Sequence, residues 1–296
     1  MKIAVTGATG FIGRYILHQL AEQNHQLVAW RRASSDTSGL ESLDVEWVEG
    51  DLTNPDSMIR LVTGCDAIVH SALWKPGPSF RGGEGPIAQF AATNIVGSLN
   101  LITSAIEQGV DRFIFLSTCA VHEVILDDRL LDEAHPCWAG SHYGAHKAAI
   151  EKFVHSFALV DGYNICALRP TGVYGLAHPA TNSKWFDLIH QVAKGHDVEV
   201  AGGGKEVHAL DVARAAAMLL VADGTAGEAF NCYDRYISRH EVASIARELS
   251  QSASTISGQP KSPKHQIETG KIKAKGMDFG GTALLRSTIQ QIIDRC

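Results

Sequence analysis

The segment Thr6-Gly-Ala-Thr-Gly-Phe-Ile-Gly13 constrains this chain more than any other stretch of its length. It closes the apolar run Lys2–Thr6 and opens straight into the amphipathic pattern of residues 11–23. Three glycines at such a strand-to-helix turn do separate jobs: Gly7 permits the tight turn, Gly10 lets the backbone approach a pyrophosphate, and Gly13 lets the helix pack close to the strand. The first N–H groups of a helix have no partner inside it. Those around Thr9, Gly10, Phe11 and Ile12 therefore offer an anion site. An ordinary glycine turn is the plainer alternative; the placement between a strand and a helix favours dinucleotide binding. A nucleotide-triphosphate loop of the form G-x-x-x-x-G-K-[ST] does not occur, since Gly204-Lys205 is followed by Glu206.

Short apolar runs then alternate with helical patterns. Strands are expected at Lys2–Thr6, Gln26–Trp30, Val45–Glu49, Ala67–His70, Arg112–Ser117 and Asn164–Arg169, and helices near 11–23, 55–63, 87–108 and 142–160. In the 87–108 stretch, Ile87, Ala91, Ile95, Leu99, Ile102 and Ile106 form a stripe at helical spacing. Such alternation predicts an α/β fold with a doubly wound parallel, Rossmann-type sheet. The sheet domain is expected over 1–175, with a possible return at 203–235, and a smaller substrate-binding α/β part over 176–296. Helical patterns recur at 184–194 and 211–222, and the Ser- and Pro-rich Ser250–Gln266 reads as a mobile loop or linker.

Composition narrows the function. The 296 residues carry 26 Lys and Arg against 32 Asp and Glu, a formal net charge of −6, which argues against a nucleic-acid partner. The longest apolar run, Ala215–Ala222, is far short of the roughly 18 residues of a membrane span. Six scattered cysteines without a C-x-x-C pair read as reduced thiols of a cytoplasmic enzyme. His142 and His146 lack the glutamate of H-E-x-x-H, so no metal site is expected.

Tyr143-Gly-Ala-His-Lys147 opens the helix expected at 142–160. The i, i+4 spacing sets phenol and ammonium on one face, about 6 Å apart at Cβ. A lysine there is expected to favour the phenolate and lower the phenol pKa, suiting it to exchange a proton while hydride moves to or from a nicotinamide. Thr118, at the end of the fifth strand, faces the ligand crevice of such a sheet and offers a hydroxyl to the same substrate oxygen. After the second strand, eighteen residues past Gly13, stand Arg31 and Arg32 where an NAD enzyme of this fold places an acid. Guanidinium groups there are expected to bond a 2′-phosphate and favour NADP; a pair of solvated arginines in a polar turn is the plainer alternative, with NAD the alternative cofactor. Asp51-Leu52, after the third strand, and Ser71-Ala72, after the fourth, fit an adenine contact and a small-residue gap for the cofactor. Their plainer readings are a turn aspartate and packing.

With glycine turn, Thr118, Tyr143 and Lys147 in this order, the chain resembles the extended short-chain dehydrogenase/reductase family, and more narrowly its sugar epimerase/dehydratase branch. Asn94–Ile102 (NIVGSLNLI), Phe113–Val121 (FIFLSTCAV), Leu168–Gly175 (LRPTGVYG) and Val207–Ala215 (VHALDVARA) carry the resemblance, which runs from residue 1 to about 250. It implies that Tyr143 is the acid/base, that Lys147 also holds the nicotinamide ribose, and that Thr118 polarises the reacting oxygen. It further implies that Asn94 belongs to the cofactor site, that Pro170, Thr171 and Val173 lie along the nicotinamide, and that the protein is a two-fold dimer. Helices 87–108 and 142–160 fit that dimer, with surplus apolar residues at Ala88, Phe90, Ala92, Val96, Ala145, Ala149, Phe153 and Phe157.

Departures bear on substrate. His122-Glu123 replaces the Tyr-Gly common after the catalytic strand, Gly172 stands where nucleotide-sugar enzymes often have Asn, and Lys205 stands near their diphosphate arginine. Trp74, within the loop Leu73–Pro86, together with His122, Gly172, Lys184 and Trp185, is a candidate contact for a small polar carbonyl or sugar-like molecule. The leading expectation is an NADP(H)-dependent oxidoreductase. The alternatives are an epimerase or dehydratase that retains its NAD(P), and a non-catalytic NADP sensor.

Overall fold

The computed structural model describes residues 1–77 and 79–296; Pro78, inside the Leu73–Pro86 loop, lies outside the described residues. In chain order the elements are β1 (Lys2–Thr6), α1 (Phe11–Glu22), β2 (Gln26–Arg31), β3 (Val45–Glu49), α2 (Pro55–Val62), β4 (Ala67–His70), α3 (Ile87–Ala91), a π-helical turn Ala92–Val96, α4 (Gly97–Glu107), β5 (Arg112–Leu116), α5 (His142–Val160) and β6 (Asn164–Pro170). There follow β7 (Gly172–Tyr174), α6 (Phe186–Ala193), β8 (Val198–Glu199), β9 (Gly203–His208), α7 (Ala209–Leu219), β10 (Ala229–Cys232), β11 (Arg235–Ser238), α8 (Arg239–Ser250), β12 (Ile256–Ser257), α9 (Gly270–Ala274) and α10 (Gly281–Ile293). All six expected strands form.

The chain divides into two compact units. The first comprises Met1–Pro170, Val212–Cys232 and Glu268–Met277; the second comprises Thr171–Asp211, Tyr233–Ile267 and Asp278–Cys296. The division falls after Pro170, five residues before the boundary expected at 175, and the first unit reclaims 212–232 and 268–277.

The first unit is built on a seven-stranded parallel sheet in the order β3-β2-β1-β4-β5-β6-β10. β4 is buried along its whole length, as an apolar run in the middle of a parallel sheet must be. The order reverses between β1 and β4, and a doubly wound sheet binds ligands outside the carboxyl ends of its strands at such a switch point. Capping is local and readable. Asn54 accepts from Ser57 N at 3.1 Å ahead of Pro55, and Ser141 Oγ accepts from Gly144 N at 3.1 Å to start α5.

The 87–108 stretch departs from a single helix. Its π turn inserts an extra residue and rotates the phase, so Phe90, Leu101, Ile102 and Ala105 enter the core, while Ile87 is exposed and Ile95, Leu99 and Ile106 are only half-buried. The expected stripe is therefore displaced, and Phe90 belongs to the core rather than to a free apolar face.

The second unit holds a three-stranded sheet, β11-β9-β7, and a two-stranded one, β12-β8. Tyr174, Ile189, Val192, Ile237, Leu285 and Ile289 are fully buried in its core. Within the Ser250–Gln266 segment, residues 254–257 are anchored. Val198 N and Val200 N donate to the carbonyls of Thr255 and Ser257 at 3.0 Å each, and Ser254 Oγ donates to the Val192 carbonyl at 2.8 Å. Backbone pairing there replaces the apolar periodicity that the segment lacks. No described helix is long and apolar enough to cross a membrane.

Candidate active site

The glycine turn has the geometry its residues demand. Gly7 has φ +67°, and a Cβ on it would lie 2.8 Å from the backbone of Ser71 and Ala72 at the end of β4. A Cβ on Gly13 would lie 2.1 Å from the Gly7 carbonyl oxygen, so only glycine lets α1 approach β1 this closely. Gly10 is different: its Cβ would meet nothing but that carbonyl, at 3.1 Å. Gly10 is exposed and caps α1 without a side-chain bond, so the amides of Phe11 and Ile12 remain for an anion. These are the features of a pyrophosphate cradle.

Arg31 ends β2, with its guanidinium 5.9 Å from the Trp47 ring, and both Arg31 and Arg32 are exposed. The loop after them is held by Arg14, which sequence reasoning missed although it directly follows Gly13. Its guanidinium is buried and donates to the carbonyls of Thr9 (3.1 Å), Asp36 (2.7 Å) and Ser38 (2.6 Å). One side chain thus joins the phosphate turn to the segment carrying the arginine pair.

Two cofactor expectations change character. Asp51 Oδ1 accepts from Thr53 N at 2.8 Å and Thr53 Oγ1 at 2.6 Å, so that oxygen is committed to a turn. Leu52 turns its side chain into the core, and its carbonyl lies where a Cβ on Gly97 would come within 2.5 Å. Asn94, in the π turn, likewise spends its amide on the backbone: Oδ1 accepts from Trp74 N at 2.7 Å, and Nδ2 donates to the carbonyls of Trp74 (2.9 Å) and Phe90 (3.0 Å). It holds the loop around Trp74, beyond β4, instead of reaching outward. A buried relay reinforces it, running from Thr6 Oγ1 to His70 Nδ1 (2.6 Å) and from His70 Nε2 to Ser98 Oγ (2.9 Å). Burial holds that imidazole neutral, its pKa down at about 3.

Thr118, Tyr143 and Lys147 come together at the carboxyl end of β5. Thr118 Oγ1 accepts from Ala120 N at 3.1 Å, which leaves its own proton uncommitted by that bond. The phenol pKa is raised, because burial outweighs the Thr118 hydroxyl and the Arg81 charge that pull it down. The expected lowering by Lys147 is thus corrected: desolvation dominates at this site. Lys147 is buried, with Nζ donating to the Leu116 carbonyl at 2.7 Å and lying 4.6 Å from the Phe115 ring centre. Burial lowers its pKa to about 7.

The Leu73–Pro86 loop packs on this site. Phe80 lies 5.3 Å from the Tyr143 ring, Glu84 accepts from Tyr143 N at 3.3 Å, and Arg81 pairs with Glu123 at 2.6 Å. Trp74 is half-buried, with its backbone clamped by Asn94. His122 has a protein partner at each ring nitrogen. It is buried, accepts from Arg169 at Nε2 (3.0 Å) and donates from Nδ1 to the Pro136 carbonyl (3.2 Å). Arg169 in turn forks onto Glu151, at 2.9 Å and 2.5 Å, and Ser117 Oγ bonds the same carboxylate. This buried pair beneath the site involves two residues that the sequence did not single out.

In the second unit, Thr171 Oγ1 is buried without a partner, Gly172 is exposed, and Val173 is half-buried. Lys184 and Trp185 stand together, Nζ 5.3 Å from the indole. In the first unit, Lys147 uses one of its three donors and the Gly10 cradle is open. These groups fit a nicotinamide dinucleotide.

The parallel sheet and the glycine turn are those of an α/β dinucleotide-binding fold. The model of the NAD dependent epimerase/dehydratase family matches residues 3–232, and the chain belongs to that family of oxidoreductases, epimerases and dehydratases. It is 30% identical over 250 residues to a 3β-hydroxysteroid dehydrogenase/Δ5→4-isomerase of Mycobacterium tuberculosis, covering 77% of this chain and 64% of that one. It is 26% identical over 276 residues to a UDP-glucose 4-epimerase of Halalkalibacterium halodurans, covering 84% of this chain and 80% of that one. Among solved structures, a Thermotoga maritima UDP-glucose 4-epimerase with UDP-glucose superposes with a TM-score of 0.81 at 22% identity, covering 99% and 98% of the two chains. That likeness concerns the fold.

Proposed function

We propose that this chain is an NADP(H)-dependent oxidoreductase that interconverts a small polar carbonyl compound and its alcohol. The observation that carries the reading is the Tyr143–Lys147 pair on one turn of α5, with Lys147 Nζ tied to the Leu116 carbonyl at 2.7 Å, two residues before Thr118. The cofactor supplies or accepts hydride when bound. The glycine turn holds its pyrophosphate, Arg31 and Arg32 its 2′-phosphate, and Lys147 its ribose, while Ser71 and Ala72 leave it room. Thr118 orients the substrate oxygen. Tyr143 gives that oxygen a proton in the reducing direction and takes it back in the other; a phenol kept neutral by burial is the right form to act as the acid.

A reading as an epimerase or dehydratase is favoured by the family match and by the Halalkalibacterium relative. One panel of carbonyls, alcohols and sugars watched by nicotinamide absorbance separates the two. Net change in absorbance supports the oxidoreductase, and product without net change supports the other.

We further infer a two-fold homodimer through the 87–108 segment and α5, since Val96 and Phe153 are 51% and 42% exposed and Ala88, Ala92 and Ala145 are exposed as well. No disulfide joins the cysteines of the described residues, which supports a cytoplasmic setting.

A further inference from the structure

The second unit holds a side-chain group that the Tyr143 chemistry does not use. Glu206, on β9, is 2% exposed, and Lys184 Nζ donates to both of its oxygens, at 2.6 Å to Oε1 and 2.5 Å to Oε2. Two glycines make room for the pair. A Cβ at Gly204 would lie 2.2 Å from Glu206 Oε1; one at Gly172 would lie 2.6 Å from Oε2 and 3.0 Å from Lys184 Nζ. Trp185, next in the chain, has φ +67°, in the left-handed region that a bulky side chain rarely occupies. Its indole lies 5.3 Å from Lys184 Nζ and 5.4 Å from the Tyr174 ring.

None of this favours stability. An ion pair that buries its carboxylate while leaving the lysine side chain 36% exposed is a weak stabiliser, a left-handed tryptophan is strained, and two vacated side chains remove contacts. All three costs converge on one ammonium group. Its third N–H has no partner among the described residues, and the exposed Gly172 beside it directly follows Thr171.

We propose that Lys184, held by Glu206, is a specificity-determining donor that hydrogen-bonds an uncharged oxygen of the substrate beside Gly172, and that the neutralised pair rejects a nucleoside diphosphate. An anion approaching Nζ also meets the Glu206 carboxylate, so attraction and repulsion largely cancel. A keto, ester or hydroxyl oxygen meets only the aimed N–H. The proposal rests on the reading of Pro170–Val173 as the nicotinamide-lining segment.

The test uses the full chain with NADPH and a matched pair of ketones, ethyl acetoacetate and acetoacetate, alongside calorimetry with uridine diphosphate. Wild type should prefer the ester. Lys184→Met should raise its KM at least about tenfold, with kcat within about threefold. The isosteric Glu206→Gln leaves the ammonium uncompensated, so it should shift preference toward the carboxylate and bind uridine diphosphate at least about tenfold more tightly than wild type. A purely structural pair would lower the melting temperature of both variants and leave the ester-to-carboxylate ratio unchanged, which overturns the proposal. So does equal uridine diphosphate affinity in wild type and Glu206→Gln, or tight wild-type binding lost in Lys184→Met. If wild type turns over no carbonyl or alcohol, the oxidoreductase reading fails, and the calorimetric arm still decides the role of Lys184.

Discussion

Lys147 donates to the backbone carbonyl of Leu116 at 2.7 Å, and this bond fixes its ammonium in a buried site four residues beyond Tyr143. The strand end thus orients the lysine that the helix supplies. The lysine is desolvated as a consequence, and its pKa falls from 10.5 to about 7.

That shift carries a sign for stability. Between about pH 7 and 10.5 the unfolded chain holds the Lys147 proton and the folded chain does not, so this group makes stability rise with pH across that window. Below the window both states are charged and the burial cost is fully present. The buried cysteines act oppositely, since burial raises their pKa values. Thermal melts of the cofactor-free protein from pH 7 upward should therefore be compared with Lys147→Met. The wild-type curve should climb relative to the variant, and parallel curves would contradict the assignment.

Tyr143→Phe should lower turnover by about 10²–10⁴-fold, the usual contribution of a general acid. Cofactor affinity, measured by fluorescence titration, should stay within a few-fold. Turnover close to wild type would remove Tyr143 from the reaction.

Arg31 and Arg32 are exposed at the end of β2 and just beyond it, with Arg14 holding the loop that follows. Charge-assisted bonds to a 2′-phosphate contribute roughly 1.5–3 kcal/mol. Arg31→Ala should weaken NADP about 10- to 150-fold and leave NAD nearly unchanged. Equal affinities of wild type for the two cofactors would defeat the NADP reading.

Gly13→Ala sets a methyl group 2.1 Å from the Gly7 carbonyl oxygen, where backbone alone must yield. Such overpacking costs about 1–3 kcal/mol. We expect a lower melting temperature and weaker binding of both NAD and NADP. Gly10→Ala meets only one atom, at 3.1 Å, so it should spare stability and still weaken binding. A normal cofactor affinity in Gly10→Ala would argue against the cradle.

Val96→Glu and Phe153→Glu place charges on exposed apolar positions of the π turn and α5. Sedimentation at micromolar concentration should show a dimer for wild type and a monomer for each variant. A monomeric wild type would end the dimer proposal.

Much of this was legible in the sequence because it depends on local pattern. The strand-to-helix turn with glycines at 7, 10 and 13, the apolar runs of β1 to β6, and the Tyr143–Lys147 spacing each follow from neighbours in the chain. α10 was legible too: Leu285, Thr288, Ile289 and Ile292 are buried at helical spacing, a signal in GTALLRSTIQQII that was not used. The 87–108 stripe misled because one inserted residue in the π turn changes its phase, and no periodicity count contains that residue.

What the sequence determined by itself is the parallel α/β order and the spacing of Tyr143 and Lys147 on one helix, because strand pairing and helix spacing follow from local apolar and glycine pattern. Only tertiary structure decided the electrical state and orientation of those groups. Desolvation raises Tyr143 and lowers Lys147 whatever their spacing, and Arg169 draws His122 inward across 47 positions of chain. Lys184 meets Glu206 only because Gly172 and Gly204 leave them space. Burial and long-range pairing depend on which segments meet in space, and that is set by the packing of the whole unit.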